Sequence, residues 1–193
     1  DLYVGASIKN DASLRANMLF INKGPDADGK PVFSDEAVAY NVADTGHTTN
    51  AAFFDYDNDG DLDLVVNNMN QPAFIWRNEA RHSISDSLSN FITLKLKGNE
   101  LNTTGLGAKV YCYTGSNIQL LEQSPVRGYL SSVDQRLHFG VNSVKLIDSL
   151  KIVWPDQRQQ VLKKIKVNQT IVLNIKDARD FVGQQGMLAQ TIL

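Results

Sequence analysis

The sequence predicts an all-β fold, and three observations support that prediction. Apolar and polar residues alternate with a period of two along most of the chain, as expected for half-buried strands. Clusters of Gly, Pro, Asn and Asp separate the alternating stretches. Two short motifs each occur twice, which indicates an internal repeat. Apolar residues make up 42% of the 193 residues, which is enough for a hydrophobic core.

The alternation places each predicted strand. In Ile92–Lys97, three aliphatic side chains face one way while a threonine and two lysines face the other. The other predicted strands are Leu2–Ala6, Met18–Asn22, Ala51–Phe54, Leu62–Asn67, Ala73–Arg77, Ala108–Thr114, Ile118–Glu122, Leu146–Trp154 and Ile171–Lys176. The one plausible helix lies in the tail, within Asp177–Leu193, where Gly183 and Gly186 disfavour it. No run of about 18 apolar residues is present, so we expect no membrane insertion through a helix.

The repeat defines the predicted architecture of the N-terminal part. Asp1–Val4 is similar to Asp63–Val66, and Leu19–Asn22 is similar to Ile75–Asn78, at offsets of 62 and 56 residues. Repeats of this length usually form propeller blades or stacked sheets. We therefore expect a partial β-propeller-type repeat with blade-like antiparallel strands. On this alignment Asp1 ends an earlier acidic loop, so we expect a fragment of a longer protein with further repeats of the same chain upstream.

The acidic loop 55–63, with sequence DYDNDGDLD, is the strongest candidate for a metal site. The candidate calcium ligands are five aspartates: Asp55, Asp57, Asp59, Asp61 and Asp63. Ca²⁺ takes about 6–8 oxygen ligands, and alternate residues of a tight loop can direct carboxylates to one centre. Gly60 permits the sharp turn, and Asp61 can offer its backbone carbonyl while its side chain faces solvent. Carboxylates crowded in this way repel one another unless a cation neutralises them.

The loop differs from an EF-hand. The twelfth position is Val66, where an EF-hand has a bidentate glutamate, and both flanks are strand-like rather than helical. A solvated acidic turn without metal is the alternative. Mg²⁺ fits less well, because a cage of many protein oxygens suits the larger ion.

Two family resemblances follow from these residues. The run Phe54–Leu64 resembles the calcium loop of FG-GAP/VCBS repeats, the blade units of integrin-type β-propellers, and this resemblance covers roughly residues 1–85. The C-terminal part is similar to the ASPIC/UnbV domain of the cartilage acidic protein-like family. The residues that carry this second resemblance are Gly105–Val110, Gly115, Gln119, Glu122, Ser131, Ser132, His138–Gly140 and Val153–Pro155. Val141-Asn142 and Asp156-Gln157 depart from the pattern of the family.

These resemblances imply a domain organisation. We expect an FG-GAP/VCBS-type region with the calcium loop at 1–88, an ASPIC/UnbV-like β-sandwich-like domain at 89–176, and a tail or the start of a further segment at 177–193. The family implies an extracellular, cell-surface or periplasmic protein, such as a bacterial surface protein. It also implies calcium binding in adhesion, ligand binding or scaffolding, and it supplies no catalytic residues.

The charge distribution leaves other functions open. Residues 1–90 carry 14 acidic and 6 basic residues, whereas residues 91–193 carry 7 acidic and 13 basic residues. Nucleic-acid binding through the basic half is therefore one alternative, although the acidic half would repel phosphate and we expect no nucleic acid partner. A hydrolase, or an accessory to glycan-processing enzymes, is another, because carboxylates are plentiful. We expect a non-catalytic module whose partner is a protein or a glycan of unknown identity.

Several other residues have structural interpretations. Asp26–Gly29 predicts a hairpin turn rather than a second cation site. Gly105–Gly107 predicts a bulge or a tight bend, and His138 is expected to form a hydrogen bond within the fold. Trp154 is expected at a strand end in the core, and Cys112 is expected to be a buried apolar side chain. Four aromatic residues could stack on sugars, although packing is favoured: Trp76, Tyr111, Tyr113 and Tyr129.

Overall fold

The computed structural model describes residues 1–6, 11, 16–69, 71–83 and 88–180, and over these residues the predicted all-β class is confirmed. The strands are β1 (Leu2–Val4), β2 (Met18–Pro25), β3 (Pro31–Asp35), β4 (Thr48–Phe54), β5 (Asp63–Asn68), β6 (Phe74–Trp76), β7 (Asn90–Lys97), β8 (Lys109–Thr114), β9 (Asn117–Glu122), β10 (Leu137–Asn142), β11 (Leu146–Val153), β12 (Gln159–Lys166) and β13 (Gln169–Asn174). A single helical turn, α1, spans Ala80–Ser83, and a 3-10 helix spans Ile175–Asp177. None of the helices in the described ranges is long and apolar enough to cross a membrane.

The chain divides into two compact units. The first contains Asp1–Phe91, Ser124–Gln135 and Gly140–Ser143. The second contains Ile92–Gln123, Arg136–Phe139 and the described residues 144–180.

The first unit contains two three-stranded antiparallel sheets, with strand orders β1-β2-β3 and β4-β5-β6. Its core consists of the buried side chains of Ala37, Val42, Leu64 and Val66, against which Tyr3, Leu19 and Trp76 also pack. These aliphatic and aromatic residues supply the burial that stabilises short strands, since two or three strands alone are marginal in water.

A buried relay of polar side chains also holds the first unit together. The amide of Asn17 donates to the hydroxyl of Thr48 over 2.8 Å, and that hydroxyl donates to the carbonyl oxygen of Asn68 over 3.0 Å. All three residues are buried. Buried polar groups are costly when they are unpaired. The relay therefore favours the packing in which the segments that carry these three residues lie together.

The second unit contains an antiparallel sheet with order β12-β11-β8-β9, and most of a sheet with order β10-β7-β13. In each sheet alternate residues are buried, for example Val110 and Cys112 in β8, as period-two patterning requires. Each sheet thus has one apolar face, which agrees with a small sandwich-like domain. The pairing of β7 with β13 is parallel, because the long chain segment between them allows a crossover connection.

Three strands escaped the sequence-based prediction. The edge strand β12 carries three lysines, so its alternation is weak. Strand β3 is mostly exposed and begins at a proline, and β10 has a glycine on its exposed side. Tertiary pairing, rather than local propensity, forms such strands.

The C-terminal part of the chain is described as far as residue 180. The predicted strand Ile171–Lys176 ends at Asn174, whose side chain accepts the N–H of Lys176 over 3.0 Å and so caps the 3-10 helix. The prediction of a helix within Asp177–Leu193 is wrong for its first part, because residues 178–180 are not helical. Residues 181–193 of that prediction lie outside the described part of the chain.

The predictions for the turn, the bend and the two core residues are confirmed, whereas Tyr129, for which packing was favoured, is 79% exposed. The segment 26–29 forms the hairpin turn between β2 and β3, in which Gly29 donates to the carbonyl of Asp26 over 3.0 Å. Gly105 and Gly107 both have positive φ angles, of +67° and +84°. Trp154 and Cys112 are each 1% exposed.

Candidate metal centre

The acidic loop lies between two paired strands. Strands β4 and β5 run antiparallel, with Phe54 opposite Asp63, so the first and last aspartates of the loop are brought to the same end of the hairpin. Asn58 and Gly60 have φ angles of +60° and +95°, which turn the chain sharply enough to return it to β5.

Three of the five predicted ligands converge. One carboxylate oxygen each from Asp55, Asp57 and Asp63 lies within 4.8 Å of the other two. Two oxygens bound to one calcium ion at about 2.3–2.6 Å are at most about 5 Å apart. The three oxygens are therefore close enough together to be ligands of one calcium ion. Asp59 and Asp61 lie outside this group of three.

Asp63 is fixed from two sides. Its Oδ2 accepts the N–H of Tyr56 over 3.0 Å, and its Oδ1 accepts the N–H of Asn78 over 2.8 Å. The residue is only 1% exposed. Such charge-assisted hydrogen bonds hold the carboxylate in place and leave a lone pair on each oxygen for a cation.

Asn78 is a site residue that the search for ligands in the sequence missed. Its amide donates to the carbonyl of Leu62 over 3.2 Å, and its side-chain oxygen accepts the N–H of Ala80 over 3.0 Å. Together with its bond to Asp63, these contacts fasten the end of β6 to the acidic loop. The signal for this role was present in the sequence, because Asn78 ends one copy of the repeated motif.

The prediction that the side chain of Asp61 faces solvent is wrong. Asp61 is 8% exposed, and its Oδ2 accepts the N–H of Arg81 over 3.1 Å. Its Oδ1 is buried and accepts no hydrogen bond from the described residues. Burial raises the pKa of this carboxyl to about 6, and the nearby carboxylates of Asp59, Asp63 and Asp57 also raise it. The physical reason is that α1 and the segment before it fold over the loop.

The positive charges near the loop have different partners. The side chain of Arg81 donates to the carbonyl of Ser89 over 3.2 Å, and its guanidinium lies 5.4 Å from the centre of the Phe91 ring. Arg77, which directly follows β6, places Nε 3.2 Å from Oδ2 of Asp57. The same nitrogen lies 3.3 Å from Oε1 of Glu79.

The two copies of the internal repeat share the same local geometry. In the first copy Asn22 donates its N–H to Oδ1 of Asp1 over 2.8 Å, as Asn78 does to Asp63. The side-chain oxygen of Asn22 also accepts the N–H of the residue two positions later, over 2.8 Å. The strand registers correspond as well, with Leu2 opposite Phe20 in one copy and Leu64 opposite Trp76 in the other. We call this arrangement the Asp–Asn clasp.

His138 lies in the second unit. Its Nδ1 shares a hydrogen bond of 3.2 Å with the hydroxyl of Thr93, which confirms the expected contact within the fold. Burial lowers the pKa of His138 to about 4, and the positive charge of Arg136 contributes.

Comparison with known proteins supports the resemblance of the C-terminal part. Residues 98–180 match the family described as ASPIC and UnbV. Cartilage acidic protein 1 of Xenopus tropicalis is 28% identical over 117 residues, a match that covers 58% of this chain and 17% of that relative. The chain thus carries a region similar to ASPIC/UnbV, and it corresponds to a small part of this longer relative.

Proposed function

We propose that this chain is a non-catalytic, extracellular β-module that binds calcium at the acidic loop and serves adhesion, ligand binding or scaffolding. The observation that carries the proposal is the convergence of Asp55, Asp57 and Asp63 within 4.8 Å. A second observation supports it: Asp61, buried in the same loop, has an oxygen that accepts no hydrogen bond from the described residues. A buried carboxylate oxygen that lacks a donor favours a cation nearby.

In this proposal the ion has a structural role. It would be held by Asp55, Asp57 and Asp63, while Asp59 and Asp61 complete the negative environment of the loop. The chemistry it supplies is charge neutralisation, which removes the repulsion among the carboxylates. Because Asp63 is also hydrogen-bonded to Asn78, an ion at this position would stabilise the connection between the hairpin and the end of β6.

An extracellular or periplasmic location and an FG-GAP/VCBS-type repeat belong to the same proposal. The match to ASPIC and UnbV over residues 98–180 and the similarity to cartilage acidic protein 1 support it. Sites in extracellular modules bind calcium with dissociation constants of about 10⁻⁴–10⁻³ M, which suits a loop with three converging carboxylates. The partner would be a protein or a glycan.

The test is a thermal melt of the wild-type chain in EDTA and in 1 mM CaCl₂, with Asp57→Asn as the variant. For a dissociation constant of about 10⁻⁴ M, 1 mM calcium stabilises the folded state by about 1.4 kcal/mol, or about 3–6 °C. Asp57→Asn keeps the shape of the side chain but removes a ligand charge, so we expect it to lose most of this increase.

Asp28→Asn is the matched control. It removes the same charge from an acidic residue in the exposed β2–β3 turn, where the side chain is 77% exposed, and it should keep the full calcium response. A wild-type melting temperature that does not respond to calcium would contradict the proposal. A response to 1 mM MgCl₂ as large as that to calcium would contradict the choice of ion.

A further inference from the structure

Arg77 pairs with a carboxylate of the proposed calcium site. Its Nε lies 3.2 Å from Oδ2 of Asp57, and Asp57 offers one of the three converging oxygens. The other nearby arginine, Arg81, donates to the carbonyl of Ser89 and lies over the ring of Phe91.

Arg77 is also held in position. The neighbouring Asn78 is hydrogen-bonded to Asp63 and Leu62, which holds the backbone next to Arg77 beside the loop. The side chain has a second acceptor in Glu79, whose Oε1 lies 3.3 Å from Nε. The guanidinium can therefore remain neutralised if Asp57 turns toward an ion.

The repeat provides an internal comparison. The residue that corresponds to Arg77 in the first copy is Ile21, directly before Asn22. The Asp–Asn clasp forms in both copies, so neither the strand nor the clasp requires a positive charge at this position. The charge at Arg77 is thus not a requirement of the repeat fold, and its partners include Asp57 of the acidic loop.

We infer that Arg77 is a built-in counter-ion of the acidic loop: it stabilises the loop without calcium and, by the same charge, weakens calcium binding. This inference rests on the proposed function. Without metal, the guanidinium offsets part of the repulsion among the aspartates. With metal, it lies next to a ligand of a doubly charged ion, and like charges repel. Arg77 is then a positioning residue that sets the calcium affinity rather than a ligand.

The expected size follows from Coulomb's law. A charge of +1 held about 6 Å from a charge of +2, in the high dielectric suitable for a side chain that is 38% exposed, changes a binding constant on the order of five- to tenfold. We expect Arg77→Gln to bind calcium about five- to tenfold more tightly, and to melt a few degrees lower than wild type in EDTA.

The experiment combines calcium titration by isothermal calorimetry with melts in EDTA. Arg77→Ile reproduces the residue of the first repeat and should behave like Arg77→Gln, whereas Arg77→Lys keeps the charge and should stay near wild type. Lys23→Gln is the matched control, because it removes one positive charge in the same unit, where Lys23 pairs with Glu36, which is not part of the acidic loop. Its affinity should be unchanged.

Each outcome bears on a separate statement. Suppose that wild type binds calcium and that Arg77→Gln binds it with the same or a lower affinity. This result overturns the counter-ion role and would mean that Arg77 holds Asp57 in its binding geometry. An EDTA melting temperature of Arg77→Gln equal to that of wild type overturns the stabilising half of the inference. If wild type binds no calcium, the proposed function fails, while the EDTA melts still decide whether Arg77 stabilises the empty loop.

Discussion

Gly60 provides a sharp test of the loop geometry that does not depend on any metal. Its φ angle is +95°, and a Cβ atom built on it would overlap the ring of Phe91. The substitution Gly60→Ala therefore introduces two separate costs. The left-handed backbone costs about 1–2 kcal/mol for a residue with a Cβ, and forcing a methyl group into a packed contact costs about 1–3 kcal/mol.

We expect Gly60→Ala to lower the free energy of unfolding by about 3 kcal/mol in total. Displacement of the ring of Phe91 would also weaken its contact with Arg81, a cation–π interaction that contributes about 0.5–1 kcal/mol. The assay is urea unfolding in EDTA, followed by circular dichroism and tryptophan fluorescence, with the slope of the transition checked against wild type.

Gly29→Ala is the matched control. Gly29 has a φ angle of +80°, but nothing lies within 4 Å of the added Cβ. It should therefore cost only the backbone contribution, about 1 kcal/mol. If Gly60→Ala costs no more than Gly29→Ala, the packing of Phe91 against the loop is refuted.

Three further predictions concern other parts of the chain. Thr48→Val should cost about 2–3 kcal/mol in urea unfolding, since two buried amides lose their partner. Thr49→Val removes two exposed hydrogen bonds, of 2.9 and 3.1 Å, and should cost well under about 1 kcal/mol. His138 has a folded pKa of about 4, below that of the unfolded chain, so its contribution to stability should be full above about pH 6.5 and fall by about 1–2 kcal/mol by pH 5, measured as the difference between wild type and His138→Gln at each pH. Burial raises the pKa of Cys112 to about 11, so Ellman's reagent should label it only after denaturant is added.

The features that were predicted from the sequence are those that a short local pattern determines. The spacing of the aspartates and the glycine in loop 55–63 identified the acidic loop, and the alternation in Ile92–Lys97 identified β7, because both signals lie within one short segment. The ASPIC/UnbV resemblance is confirmed over residues 98–180. The FG-GAP/VCBS-type repeat and the calcium ion stay predictions.

The remaining site residues depend on contacts distant in sequence. Asp61 was expected in solvent, and it is buried because the N–H of Arg81, 20 residues later, binds its carboxylate. Phe91 packs against Gly60 from 31 residues away. No periodicity within the loop carries information about these partners, since tertiary folding alone brings them there. The edge strand β12 was missed for a related reason: its lysines face solvent, and its pairing with β11 defines it.

The Asp–Asn clasp forms in both copies of the repeat, although the residue before the asparagine differs between them. In both copies an aspartate at the start of one strand accepts an N–H from an asparagine after the next strand, over 2.8 Å. The residue before the asparagine differs: it is Ile21 in one copy and Arg77 in the other. A clasp that forms beside either an aliphatic or a basic residue does not need the charge. The ion pair of Arg77 with Asp57 is therefore not part of the clasp. A calcium ion at the loop would lie next to strands β5 and β6, which the clasp already joins.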